Sequence, residues 1–183
     1  MAILKIARIG HPVLRQDAQP VSDLALSELD RLIGDMSETM HAAPGVGLAA
    51  PQVLAGVRVV VFRVPADRAG SDGEAVPDTV LINPELTALD DRVVLGWEGC
   101  LSVPGLRGLV PRHTRIGYRG LAPDGSRVEG EATGFLARVL QHEVDHLDGI
   151  LYIDRMHDLR LLVHEDEVDS FRFEDYIESD KNA

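Results

Sequence analysis

The sequence is poor in several features that would place it in a more specialised class. It has one cysteine, Cys100, so no disulfide can form within the chain, which fits a reducing compartment. It has no run of lysine or arginine, and its net charge is -12, which argues against broad nucleic-acid binding. No stretch approaches the roughly 18 apolar residues of a membrane span, and residues 1–10 lack the order of a signal peptide. The sequence therefore predicts a cytoplasmic protein with no membrane association.

Length and composition predict one globular unit with an acidic end. The chain has 183 residues, of which 45% are hydrophobic, and this suffices for a sizeable core. The composition changes near the C terminus, where acidic residues strongly outnumber basic ones. We predict a single domain over residues 1–163 and an acidic extension over residues 164–183 that is partly docked or disordered.

The most informative segment is Gln-His-Glu-Val-Asp-His at residues 141–146, which contains the pattern His-Glu-x-x-His. On an α-helix, residues four apart share a face, so His142 and His146 can bind one ion. Glu143, between them, can reach a water on that ion. Two hydrogen-bonded core histidines without a metal are the alternative for so short a pattern. A third ligand would decide between these readings.

The residues around this pattern predict that it lies on a helix. Phe135 and Val139 precede His142 at helical spacing and continue its face as an apolar stripe. Thr133 is placed to cap the N terminus of the helix, and Gly149 is placed to end it. The histidines would then face the interior of the protein.

Hydrophobic periodicity elsewhere predicts one further helix and several strands. Leucines and methionines at helical spacing predict an amphipathic helix over residues 23–42. Short apolar runs predict strands at residues 57–64, 79–82, 92–95, 114–119, 127–131 and 150–153. The predicted fold class is α+β, with strands surrounding a central metal-binding helix.

Two further segments can contribute to the same site. Residues 44–52 are mostly small residues, with a proline at residue 44 and another at residue 51. The backbone of such a loop can approach a ligand closely and can pair with a peptide as a strand does. An ordinary turn is the alternative. Residues 98–102, Glu-Gly-Cys-Leu-Ser, hold the only thiol. A thiolate with two imidazoles suits a borderline divalent metal, and three protein ligands leave one position open for water.

These three segments resemble the motifs of the peptide deformylases. They read Gly-Val-Gly-Leu-Ala-Ala-Pro-Gln at residues 45–52, Glu-Gly-Cys-Leu-Ser at residues 98–102 and Gln-His-Glu-Val-Asp-His at residues 141–146. The resemblance extends over roughly residues 5–160, and three motifs in the correct order are far more specific than any one of them. It favours a functional glycine loop over an ordinary turn.

The resemblance implies a role for residues in each motif. It implies metal ligation by Cys100, His142 and His146. Glu143 would be the general acid/base, and the oxyanion would be bound by the side-chain amide of Gln52 and the backbone NH of Leu101. Glu98 and Arg112 would form an ion pair that braces the cysteine loop.

Substrate contacts are expected from the glycine loop, from a strand and from the predicted helix. Arg107 matches a position that helps to hold substrate in many bacterial members, although its surroundings at residues 103–108 also resemble the organellar branch. An apolar pocket for a methionine side chain can form where the loop meets the helix stripe. The predicted substrate-binding residues are Gly45, Val46, Gly47, Arg107, Phe135 and Val139.

The resemblance implies a hydrolase that removes the N-formyl group from the N-terminal methionine of newly made polypeptides and releases formate. It implies one divalent metal ion per chain, with Fe²⁺ favoured, while the ligand types also admit Zn²⁺, Ni²⁺ or Co²⁺. The expected partners are N-formyl-methionyl nascent polypeptides, with transient association with the ribosome.

Two other classes of protein stay open on the sequence alone. A zinc protease would take its third ligand from Glu165 or Glu167, but it would leave Cys100 and the glycine segment unexplained. A non-enzymatic module would use the same cluster as a structural metal site, or would be a deformylase that lost its activity. A fourth protein ligand is not apparent in the sequence, and no motif residue is missing.

Overall fold

A computed structural model describes residues 2–22, 26–69 and 74–172. Within these ranges the chain forms two α-helices and eight strands. Their bounds are α1 (Leu26–Ala42), β1 (Gly47–Ala49), β2 (Val59–Val64), β3 (Val76–Ala88), β4 (Val93–Cys100), β5 (Val103–His113), β6 (Arg115–Leu121), β7 (Arg127–Thr133), α2 (Gly134–Leu147) and β8 (Leu162–His164). One antiparallel sheet has the strand order β1-β2-β3-β6-β7, and a second has the order β4-β5-β8.

Strand β2 is buried on both faces because the five-stranded sheet carries a helix on each side. Alternate residues of a strand point to opposite faces. Val59 and Val61 join the cluster that contains residues of α1, whereas Val60 and Phe62 join the cluster that contains residues of α2. This two-sided burial explains why the strand reads as a nearly continuous apolar run rather than as an alternating one.

Helix α2 lies against both sheets and carries the His-Glu-x-x-His pattern. Thr133 occupies the N-cap position with an extended backbone, as predicted, although its side chain makes no capping hydrogen bond. Gly149 follows the helix with φ +67°, a left-handed conformation that favours glycine. A Cβ at this position would lie 2.9 Å from the backbone of Arg15. The helix therefore ends where the sequence predicted.

The β4–β5 hairpin sets the position of Cys100. The two strands pair in register as far as Gly99 and Arg107, and the register then shifts so that Cys100 pairs with Val103. A shift of this kind re-aims the side chain that follows it. In this hairpin it directs the Cys100 thiol towards α2.

The predicted α+β class with a central helix is confirmed. The predicted helix over residues 23–42 is described from Leu26 onward, and residues 23–25 lie outside the described ranges. The strand predicted at residues 150–153 is wrong, because Tyr152–Arg155 form a 3-10 helix instead. The side chain of Asp154 accepts a hydrogen bond from the backbone NH of Leu151 at 2.7 Å, and this favours a turn over an extended strand.

Strand β5 was not predicted from the sequence. It contains glycines and prolines that are typical of loops, yet it lies between β4 and β8 and gains its hydrogen bonds from both. Its neighbours in the fold, rather than its own residues, make it a strand. None of the described helices is both long enough and apolar enough to cross a membrane.

The segment after residue 161 packs onto the second sheet. Strand β8 pairs with β5, and a 3-10 helix, Glu165–Ser170, follows it directly. Beyond this helix the ring of Phe171 meets the ring of Trp97 edge-on, with 5.1 Å between their centroids. The rest of the predicted acidic extension, residues 173–183, lies outside the described ranges, and the domain boundary after residue 163 stays a prediction.

Candidate metal centre and substrate pocket

Three ligand atoms converge between α2 and the β4–β5 hairpin. The candidate ligand atoms of Cys100, His142 and His146 all lie within 4.8 Å of one another. The sulfur of Cys100 is 3.2 Å from Nε2 of His146. The helical spacing brings the two imidazoles to one face, and the register shift of the hairpin supplies the thiol. One sulfur and two nitrogen donors at this separation fit a single divalent metal ion.

The surroundings of Cys100 favour its thiolate form, which is the form that binds metals. Burial raises the pKa of the thiol, but the neighbouring side chains of His146 and His142 outweigh burial and lower this pKa well below its ordinary range. Two hydrogen-bond donors also face the sulfur of Cys100, at longer distances than His146. The side-chain nitrogen of Gln52 lies 3.5 Å from it, and the backbone NH of Ser102 lies 3.4 Å from it.

Glu98 orients His142 from the side opposite the cluster. One oxygen of Glu98 lies 2.8 Å from Nδ1 of His142, which leaves Nε2 available for an ion. Arg112 donates to both oxygens of the same carboxylate, at 2.9 and 3.0 Å, so the predicted Glu98–Arg112 ion pair is present and buried. Burial raises the pKa of Glu98, but the hydrogen bonds from His142 and Arg112 prevail and lower this pKa to about 2.

The ion pair belongs to a larger network that the sequence did not reveal. Arg138 donates to Glu98 at 2.9 Å, and Arg112 also donates to Asp145. Arg155 then binds Asp145 through two hydrogen bonds of 2.7 and 3.2 Å. Arg138 lies one helical turn before the first histidine, so helical spacing was a signal for it. No sequence signal connects Asp145 to its two arginines.

Glu143 comes close to the cluster because residue 47 is a glycine. A Cβ at Gly47 would lie 2.1 Å from a carboxylate oxygen of Glu143, so any larger residue would displace the carboxylate. The other oxygen, Oε2, is buried and has no hydrogen-bond partner among the residues that the structure describes. Burial raises the pKa of Glu143 to about 7, although the neighbouring His142 and His146 oppose this rise. An unpaired acceptor with such a pKa can exchange protons near neutral pH.

The side-chain amide of Gln52 has a fixed orientation. Its oxygen accepts a hydrogen bond from the backbone NH of Ala49 at 2.9 Å, within a 3-10 helix that runs from Ala50 to Val53. Its nitrogen consequently points towards Cys100 and donates to the hydroxyl of Ser102 at 3.1 Å. The NH₂ group of a buried amide is thus held beside the cluster, where it can donate to a developing negative charge.

The cluster opens into a pocket of about 380 Å³. Among the site residues that the family resemblance implied, those lining this pocket are Gly45, Val46, Gly47, Gln52, Glu98, Cys100, Leu101, Arg107, Phe135, Val139, His142 and Glu143. His146 is not among the lining residues and is almost fully buried. Sequence reasoning did not foresee Arg68 and Trp97, which also line the pocket and carry no recognisable sequence signal.

The ligand set of a zinc protease is not formed. The cluster found among the described residues contains Cys100 and neither Glu165 nor Glu167. Glu165 instead faces Arg107, with 3.9 Å between a carboxylate oxygen and a guanidinium nitrogen. The cysteine that this alternative left unexplained is therefore part of the candidate metal site.

A thiol and two imidazoles that could hold a metal ion, beside a buried carboxylate at a pocket of this size, are the groups expected of a hydrolase with a metal site. The family model described as polypeptide deformylase matches residues 3–161. The chain belongs to the polypeptide deformylase family. Enzymes of this family remove the N-formyl group from nascent polypeptides, and this is the reaction of the chain.

Individual relatives agree with this assignment over most of the chain. Peptide deformylase 1 of Nitrosomonas europaea is 49% identical over 158 residues, which cover 86% of this chain and 90% of the relative. Peptide deformylase 1 of Xanthomonas campestris is 47% identical over 178 residues, which cover 97% and 99%. The Met-ala-ser bound crystal structure of the class I type b enzyme from Acinetobacter baumannii has a TM-score of 0.79 and 39% identity, and the match covers 85% of this chain and 99% of that one.

Proposed function

We propose that the pocket around Cys100 is where this chain removes the formyl group from the N-terminal methionine of a newly made polypeptide. Cys100, His142 and His146 would hold one divalent metal ion, and Glu143 would be the general acid/base. The observation that carries this proposal is the convergence of three ligand atoms within 4.8 Å of one another. The unpartnered oxygen of Glu143 lies at the same pocket.

The residues of the pocket divide the chemistry between them. A divalent ion in such a site lowers the pKa of water towards about 7 and polarises a carbonyl oxygen. Glu143 takes a proton from the attacking water and passes it to the leaving nitrogen, and its pKa of about 7 suits both transfers. The amide of Gln52 and the backbone NH of Leu101 donate hydrogen bonds to the oxyanion. The products are formate and a free amino terminus.

The glycine loop and strand β1 would bind the peptide. Strand β1 is an edge strand of its sheet, so an extended peptide can add to its open side by main-chain hydrogen bonds. Gly45 in the loop and Gly47 at the start of β1 would let the peptide approach, while Val46, Phe135 and Val139 would receive the methionine side chain. All five line the pocket. The Acinetobacter baumannii structure named above holds a peptide that begins with methionine, and a similar peptide would fit here.

The proposal also covers the identity of the metal, the role of Arg107 and the location of the enzyme. The resident ion would be Fe²⁺, since thiolate and imidazole ligands admit iron, zinc, cobalt or nickel and the family resemblance favours iron. Arg107 would hold the substrate beyond the methionine. The location would be cytoplasmic, where a lone thiol stays reduced, and the enzyme would associate transiently with the ribosome because its substrates are chains still being made.

Formate release from N-formyl-Met-Ala-Ser tests the proposed reaction directly. The protein is purified without oxygen, its metal content is measured, and formate is quantified with a coupled dehydrogenase. We expect release that depends on the bound metal and stops when a chelator removes it. No release from a folded sample shown to carry iron, or reloaded with nickel, would contradict the proposal.

Replacing Gln52 with leucine tests the oxyanion contact. The loss of one such donor is expected to lower kcat on the order of 100- to 1,000-fold, because the donor acts on charge that develops only in the transition state. Metal content is expected to be unchanged, since Gln52 is not one of the three clustered ligands. The matched control is Gln16→Leu, at an exposed position outside the pocket. Equal kcat in both variants would remove Gln52 from the mechanism.

A further inference from the structure

Two opposite charges face each other on the pocket wall. Arg107 on β5 and Glu165, which follows β8, both line the pocket. A guanidinium nitrogen of Arg107 lies 3.9 Å from a carboxylate oxygen of Glu165, so the two groups attract each other without a close hydrogen bond. Their side chains are 41% and 49% exposed, so each can still meet a substrate.

Strand pairing places this charge pair close to the candidate metal site. Arg107 pairs with Gly99, the residue before Cys100, and on its other side with Val163 of β8. A Cβ at Gly99 would lie 2.3 Å from a guanidinium nitrogen of Arg107, so the guanidinium rests directly on the glycine backbone. An extended peptide advances about 3.3 Å per residue. We infer that the second and third residues of a bound chain reach the pair.

Glu165 supplies the exposed negative charge that offsets the positive charges lining the pocket. Among the described residues that line the pocket, the acidic ones are Glu98, Glu143 and Glu165, and the basic ones are Arg68, Arg107 and Arg138. The first two glutamates are buried, whereas Glu165 is open to solvent. Arg138 is held by Glu98. Without Glu165, the exposed part of the wall would carry positive charge only.

The fold holds Glu165 in this position. Strand β8, immediately before it, pairs with β5, and the contact between Phe171 and Trp97 follows its 3-10 helix. The match to the polypeptide deformylase model ends at residue 161. The charge therefore comes from a part of the chain that the family model does not match.

We propose that Glu165 is a specificity-determining residue that tunes which nascent chains this enzyme accepts. This inference rests on the deformylase function proposed for the same pocket. By offsetting Arg107, Glu165 lets basic side chains enter at the second and third residues of the substrate and prevents a preference for acidic ones. Removing its charge leaves Arg107 to attract acidic side chains and to repel basic ones.

The test compares N-formyl-Met-Ala-Lys with N-formyl-Met-Ala-Glu on the metal-loaded enzyme. In Glu165→Gln, the ratio of kcat/KM for the lysine peptide to that for the glutamate peptide is expected to fall about threefold or more. The change should lie in KM, because the charge is remote from the reacting atoms, and it should shrink as salt is added. Glu167→Gln is the matched control: it removes the same charge from the same 3-10 helix, outside the pocket.

An unchanged ratio in Glu165→Gln, or an equal shift in Glu167→Gln, would overturn the inference. The neutral peptide N-formyl-Met-Ala-Ser, run in the same assay, tests the deformylase function separately. If the metal-loaded enzyme releases no formate from it, the function fails, and binding of Met-Ala-Lys and Met-Ala-Glu measured by calorimetry decides the role of Glu165. A shift in their relative affinity in Glu165→Gln alone would support that role, and no shift would contradict it.

Discussion

Replacing Glu143 with glutamine is expected to lower formate release on the order of 100- to 10,000-fold while the metal stays bound. Glutamine keeps the size of the side chain, so it still fits beside Gly47. It cannot take a proton from water or return one to the leaving nitrogen. The three clustered ligands are untouched. Turnover and metal content, measured on the same sample, check both halves of the prediction.

The matched control for this variant is Glu28→Gln, at an exposed position of α1 that does not line the pocket. It makes the same chemical change and is expected to keep full activity. A Glu143→Gln enzyme that holds its metal and keeps more than about a tenth of parental turnover would contradict the acid/base assignment. Loss of metal in this variant would instead show that Glu143 supports the ion.

A second large effect is expected from Glu98→Gln. This change should lower the free energy of unfolding of the metal-free protein by about 3 kcal/mol. It should also weaken metal binding about 10- to 100-fold, because His142 loses the carboxylate that orients it. The new amide places donor hydrogens against Arg112 and Arg138, which are themselves donors only. Urea unfolding and a metal titration measure the two effects.

The control for Glu98→Gln is Glu131→Gln, which also removes a carboxylate that pairs with an arginine. That arginine, Arg115, and Glu131 are 49% and 59% exposed, so water already screens their attraction. The expected loss of stability is much smaller than in Glu98→Gln. Comparable losses in the two variants would show that burial of the Glu98 network adds nothing to stability.

The sequence predicted candidate metal ligands where their chemistry demands fixed spacing, and the structure brings these residues together. Two imidazoles can share an ion from one helix only at a few spacings, so His142 and His146 stand out in the sequence. Cys100 is the only thiol in the chain and needed no spacing argument. The central helix followed from the same pattern, since its apolar stripe continues the ligand face.

The sequence was uninformative where partners are distant along the chain. Strand β5 depends on two neighbouring strands for its hydrogen bonds, and its glycines and prolines resemble a loop. Asp145 binds Arg112 and Arg155 from different elements, and Glu165 meets Arg107 only because β8 pairs with β5. Each of these contacts is set by tertiary structure rather than by local periodicity.

The register shift that aims Cys100 at α2 would make a bound metal ion a link between the two sheets as well as a part of the catalytic site. Cys100 packs with the second sheet, whereas α2 packs its core residues against the first, so an ion joining Cys100 to His142 links the two. Because the three ligand atoms converge only in the folded chain, binding of the ion would stabilise the folded protein against unfolding, by about 4 kcal/mol at an ion concentration 1,000 times the Kd. Losing the ion would therefore end catalysis and lower the free energy of unfolding in one event, so we expect proteases to cut the metal-free protein faster than the metal-loaded one.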